Sequence, residues 1–244
     1  MDYEKDFDEC SESTSLGILH YRHHAGNSKK IVFLHGLGAT TRVWLRLMKY
    51  MPDDFDVYLI DLLGHGKSDA PILKYTVSMQ AEALKELIRS KGIEDCYLFG
   101  HSYGGWIAAS YASLQYACSG IMLEDAAGLA EALEAEIAAG GPDKYREDAI
   151  KSALANNTGR EHVIHSILES RRSDDSLTAD ILARINKRTM VIWGSDDRIT
   201  KTGFAHLFAE RIKNSRLEII TGAGHYPHYT NPEEVCKLIV NFVV

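Results

Sequence analysis

Cys96-Tyr97-Leu98-Phe99-Gly100-His101-Ser102-Tyr103-Gly104-Gly105-Trp106 decides the reading of this chain. It opens as a short apolar run of strand character. It turns within Gly100-His101-Ser102-Tyr103-Gly104, a G-x-S-x-G pattern, and continues into the helix-like stretch 106–112. Strand, tight turn and helix form the context in which a serine hydroxyl is presented above a sheet on a strained backbone. Gly100 and Gly104 flank the turn because side chains there would crowd the closing strand and helix. Taken alone, the same pattern also describes a glycine-rich strand-to-helix turn with a capping serine. The rest of the chain has to choose between the two.

Working outward, buried-strand patterns appear at 31–34, 57–60, 120–124, 190–193 and 217–220, each a short apolar run bounded by turn residues. Helical patterns lie between them, over 41–50, 75–91, 203–212 and 232–242. In 75–91, Ala81, Leu84, Leu87 and Ile88 recur at helical spacing. An alternating patch at 16–22 predicts one or two antiparallel edge strands. From about 125 to 187 the chain is nearly all helix-like, with predicted helices at 130–139, 143–155, 160–171 and 177–185. They are separated by Gly140-Gly141-Pro142, Asn156-Asn157-Thr158-Gly159 and Ser173-Asp174-Asp175. Alternating strands and helices imply an α/β fold with a mostly parallel sheet of about eight strands, flanked by helices. The helical block, inserted after the sixth strand, reads as a cap. The division is a core of residues 1–125 and 188–244 and a cap of residues 126–187.

Composition narrows the partners. The chain has 244 residues, 27 basic and 34 acidic, giving a net charge of −7, and no long basic stripe. Nucleic acid and anionic membrane are therefore not expected partners. The start, Met1-Asp2-Tyr3-Glu4-Lys5-Asp6, is acidic where a signal peptide is basic. No apolar run approaches the roughly 20 residues a membrane helix needs, and a cytoplasmic location is expected. Cys10, Cys96, Cys118 and Cys236 are scattered, with no C-x-x-C and no zinc spacing. No metal and no cofactor are expected.

In parallel sheets functional groups gather at the carboxyl ends of strands. Here the strand ends carry His35-Gly36-Leu37-Gly38, Ser102, Gly194-Ser195-Asp196-Asp197 and Gly222-Ala223-Gly224-His225. The chain order Ser, Asp, His is that of the α/β-hydrolases. With the loop from Asp61 to Ser68, these motifs run in order across nearly the whole chain outside the cap. On them the chain resembles the α/β-hydrolase superfamily, in its capped small-molecule branch.

That chemistry asks something different of each position. Ser102 is the candidate nucleophile, and a free hydroxyl is too weak an acid to attack unaided. His225 is the candidate base that takes its proton and later returns it to the leaving group. A carboxylate must orient the imidazole and stabilise its cation. The resemblance places that acid at Asp197, with Asp196 as the rival and a turn former otherwise. His228, three residues past His225, is the rival base. The oxyanion needs two N–H donors, for which the backbone groups of Leu37 and Tyr103 are the candidates. Asp61 and His65 are read as part of a structural turn that shapes the pocket wall. Trp106, Leu129, Leu133 and Ile137 are candidate pocket lining.

The resemblance implies a carboxylesterase-like serine hydrolase that cleaves small esters or lactones through an acyl-enzyme. Ser102 stands where the dehalogenase and epoxide hydrolase branches carry aspartate. The loop His35-Gly36-Leu37-Gly38 also lacks the proline of prolyl aminopeptidase-like and perhydrolase-like relatives. A carbon–carbon bond hydrolase or related lyase would use the same triad, and a ligand receptor could reuse the scaffold. A small molecule is the expected partner, and the oligomeric state, monomer or homodimer, stays open.

Overall fold

Apolar runs of four or five residues become strands buried on both faces, and this places the centre of the sheet. In β3 (Lys30–Leu34), Ile31 and Phe33 face one helical layer while Val32 and Leu34 face the other, as the alternation of side chains along a strand requires. The same division holds in β4 (Asp56–Ile60), β5 (Tyr97–His101), β6 (Gly120–Glu124) and β7 (Arg188–Gly194). The edges are β8 (Ser215–Ile220) and a hairpin of β1 (Asp8–Thr14) and β2 (Gly17–His24). The eight strands run in the order β1-β2-β4-β3-β5-β6-β7-β8. Only the hairpin and the β2–β4 pair are antiparallel. The computed structural model describes residues 7–170 and 175–244. The acidic start at 1–6 lies outside them, as do the end of the helix expected over 160–171 and part of the separator after it.

One layer contains α2 (Val77–Lys91), α3 (Tyr103–Ser113) and α8 (Gly203–Arg211). The other contains α1 (Leu45–Met48) and α10 (Pro232–Val243). α2 starts where the Thr76 hydroxyl accepts from the Met79 amide, a side-chain cap that satisfies an otherwise orphaned donor. α10 turns Val235, Ile239 and Phe242 into the core, and each such buried side chain contributes roughly 1.5–3 kcal/mol. The single helix expected over 41–50 is instead a 3-10 turn (Thr41–Trp44) followed by one turn of α1. The first turn is tightened because the Asp61 carboxylate holds the Thr41 amide at 2.7 Å.

Between β6 and β7 stand α4 (Ala130–Ala138), α5 (Lys144–Asn156), α6 (Glu161–Ser170) and α7 (Ala179–Ala183). Several tethers hold this block over the carboxyl edge of the sheet. Arg160 donates to the carbonyls of Gly66 and Ser68, Asn157 donates to that of Gly64, and Ser166 accepts from the Tyr75 amide. α6 buries Val163, Ile164 and Ile167, whereas α4 has no fully buried residue and is tied to α8 by the ion pair of Glu131 with Arg211.

Candidate active site

The strand order reverses at β3, so the loops after β3 and β5 diverge and leave a crevice at the carboxyl edge. Ser102 sits there, directly after β5, with φ 52° and ψ −111°, a region that residues with side chains avoid. Its surroundings over-determine the strain. The Ser102 amide donates to Glu124 O at 2.9 Å, and Ser102 O accepts from Trp106 and Ala127. A Cβ on Gly104 would stand 2.1 Å from the Leu34 carbonyl oxygen, and one on Gly100 would stand 2.3 Å from that of Gly104. Only glycine lets α3 begin this close to β3 and β5.

Three distant strand ends converge on one line. The Ser102 hydroxyl lies 3.0 Å from His225 Nε2, and His225 Nδ1 lies 2.8 Å from Asp197 Oδ2. A carboxylate only accepts, so Nδ1 carries the proton and Nε2 offers its lone pair to the serine. Asp197 is buried and also accepts from the amides of Ile199 and Thr200 and from the Thr200 hydroxyl at 2.6 Å. Burial alone would raise its pKa. The bonds from His225, Thr200 and Ile199 outweigh it and hold the carboxyl below its ordinary range. Asp196 is exposed and bonds the Ser195 hydroxyl instead. His228, the rival base, points elsewhere: it lies in α9 (Pro227–Thr230), with Nδ1 2.5 Å from Glu124 Oε2.

Leu37 and Tyr103 both line the cavity beside Ser102. Tyr103 opens α3, where amides have no intrahelical acceptor. The loop after β3 is held from behind. His35 Nε2 accepts from the Leu62 amide, and a Cβ on Gly38 would stand 2.4 Å from Ala153 Cα of α5. The loop from Asp61 to Ser68 shapes the pocket wall from behind, without lining it. Asp61 ties Thr41, Lys67 and His20 together, and none of its residues lines the cavity.

The cavity has a volume of about 460 Å³. Of the four expected lining residues, Trp106 is present. Leu129 and Leu133 border a smaller neighbouring cavity, and Ile137 is 62% exposed. The cap side of the cavity comes from α5 and α6, chiefly Ala149, Ile150, Ala153, Ile167 and Leu168. No residue of α4 lines this cavity; Ala132 and Leu133 of α4 border the smaller one beside it.

Several polar groups at the site escaped the sequence reading. His101 donates Nε2–H to the His225 carbonyl at 2.7 Å and so fixes the backbone of that loop. Burial, reinforced by His228 and His225, holds it well below the usual histidine range, hence neutral. Asp125, at φ 45°, accepts the Gly194 amide on Oδ1. Burial and the neighbouring charges of Asp197 and Glu124 raise its pKa well above the usual range. The adjacent acids Glu124-Asp125 at a strand's carboxyl end were the available signal. His101/Asp125/His225 and His101/Glu124/His228 bring buried ligand atoms within 4.8 Å of one another. His101, His225 and His228 each spend one of those nitrogens on the hydrogen bonds above.

The buried neutral histidines set a pH dependence. Burial lowers His35 and His101, and takes His65 down to about 3, from the ordinary 6.5. Below pH 6.5 the unfolded chain binds protons there that the folded chain does not, so stability falls as pH falls. The urea midpoint is expected to drop steadily from pH 7 to pH 5. A flat midpoint over that range would count against neutral histidines.

The sequence model of the Alpha/beta hydrolase family matches residues 31–238. The chain belongs to the alpha/beta hydrolase family. This alpha/beta hydrolase is 22% identical over 263 residues to monoacylglycerol lipase ABHD6 of Bos taurus, covering 91% of this chain and 77% of that one. Its fold superposes on a bacterial membrane phospholipase A with a TM-score of 0.82, at 22% identity over 97% of this chain and 86% of that one. A mutant of the meta-cleavage product hydrolase CumD of Pseudomonas fluorescens matches at TM-score 0.79 and 18% identity, over 96% and 97%. Among the described residues of the alpha/beta hydrolase, no helix is long and apolar enough to cross a membrane.

Proposed function

We propose that this alpha/beta hydrolase is a serine hydrolase of carboxylic esters, lactones included, working through an acyl-enzyme on Ser102. The continuous line Ser102–His225–Asp197, with Ser102 and His225 lining the cavity, carries the reading. His225 Nε2 takes the hydroxyl proton as Ser102 Oγ bonds to the ester carbonyl carbon. The charge that develops on the carbonyl oxygen faces the amides of Leu37 and Tyr103. As the tetrahedral adduct collapses, His225 passes the proton to the departing alkoxide. A water molecule then repeats the sequence on the acyl-enzyme, releasing the acid and restoring the serine. Asp197 keeps Nδ1 protonated and stabilises the transient imidazolium.

Residues 126–187 act in this reading as a cap whose α5 and α6 seat the acyl part. The lipase name of the curated relative supports an ester as substrate. The partner is a small molecule, and the reaction requires no cofactor. A fluorophosphonate probe is expected to label the wild type and not Ser102→Ala, and a panel of esters, lactones and vinylogous diketones ranks the bond cleaved. Absence of labelling in the wild type would sink the proposal.

A further inference from the structure

The reaction cavity has a neighbour. A surface groove of about 400 Å³ is lined by Arg42, Val43, Leu45, Arg46, Lys49, Tyr226, His228 and Tyr229. It shares Val43, Tyr226 and His228 with the cavity of Ser102, so the two adjoin across these residues. Arg42, Arg46 and Lys49 recur four and three residues apart along the 3-10 turn and α1, a spacing that stacks them on one face. All three are exposed. Arg46 lies over the Tyr229 ring, 4.8 Å from its centroid, an attraction between the cation and the ring face. Among the described residues no carboxylate lines the groove, although the chain carries a net charge of −7. Glu124 lies behind His228, fully buried and bonded to it.

Resting on the ester hydrolase reading, we propose that this groove receives an anionic group, a phosphate or a carboxylate, on the alcohol side of the scissile ester. His225 returns its proton to the leaving oxygen, so that oxygen must sit beside His225. The groove starts at Tyr226 and His228, on the same turn. The apolar residues of α5 and α6 line the cavity's cap side and suit the acyl chain. A leaving alcohol threaded past Val43 and Tyr226 reaches Arg46 and Lys49, whose charge-assisted bonds to an anion are the strong kind.

The test uses monomeric short-chain ligands and Ser102→Ala protein, so that binding is read without turnover. The Kd of 1-hexanoylglycerol 3-phosphate is compared with that of 1-hexanoylglycerol. The phosphate ester is expected to bind about tenfold tighter at low salt. The preference should fall to about twofold in ~0.5 M salt, where screening is strong, and in the additional variant Arg46→Gln/Lys49→Gln. Equal Kd values, or a preference that survives both salt and the charge removal, overturn the proposal. Inorganic phosphate binding as tightly as the phosphate ester also overturns it, since the groove would then be an isolated anion site. Charge-dependent binding to phosphatidylserine vesicles without ester discrimination overturns it too, in favour of a membrane-facing patch. Preference without fluorophosphonate labelling of the wild type leaves the groove standing and the hydrolase reading fallen. Labelling without preference does the reverse.

Discussion

Ser102→Ala is expected to lose on the order of 10⁶-fold in kcat on a small ester, with little change in stability. The serine is the bond-forming atom, and removing one member of a unit that acts together costs nearly as much as removing all of it. In the proposed mechanism, what survives comes from the Leu37 and Tyr103 amides and from substrate positioning, which neither need nor touch the hydroxyl. The stability expectation follows from the site itself. The Ser102 side chain bonds only His225, while the strained turn is held by backbone bonds that alanine retains. Steady-state rates with a p-nitrophenyl ester, beside a thermal melt, check both halves. A variant within tenfold of the wild type would show that another group attacks.

Asp197→Asn is the second large effect, a fall of about 10⁴-fold in kcat. An asparagine at that site can turn an N–H toward Nδ1. The imidazole would then place its proton on Nε2, where it cannot accept from Ser102. Asp196→Asn is expected to stay within about twofold, because an exposed carboxylate bonded to a neighbouring serine contributes little. The pair must be measured side by side in one buffer. Equal losses, or a larger loss at Asp196, would displace Asp197 from the role proposed for it.

The meeting of Ser102, Asp197 and His225 was legible because each follows a buried strand in a short turn rich in glycine or aspartate. Such turns leave local traces in a sequence. The sheet was legible for the same reason, since strands buried on both faces must be continuous apolar runs. Thr200 and His101 stand in those same turns, but nothing in the sequence says what they bond: the Thr200 hydroxyl meets Asp197 within its own loop, and His101 meets a carbonyl 124 residues away. Asp125 left only the pair of adjacent acids as a trace, and its partner, the Gly194 amide, lies 69 residues on. The cap shows the same limit in another form. The helical stretches of the cap were readable, but which faces look inward depends on tethers such as Arg160 to Gly66 and Ser68. Hence Ile137 was expected in the cavity and lies in solvent, while Ile150 and Leu168 line it.

The serine and its base lie 123 residues apart, and the loop bearing His225 is placed by β8, the outermost strand, pairing on β7. Parallel pairings over such separations close late, because the entropy of closing a long loop is lost before any contact repays it. A folding chain can therefore hold a formed elbow, with Ser102 already strained, while the strand that delivers its imidazole is still unattached. In the proposed mechanism Ser102 is inert until the sheet is complete, so a partly folded chain carries no activated serine.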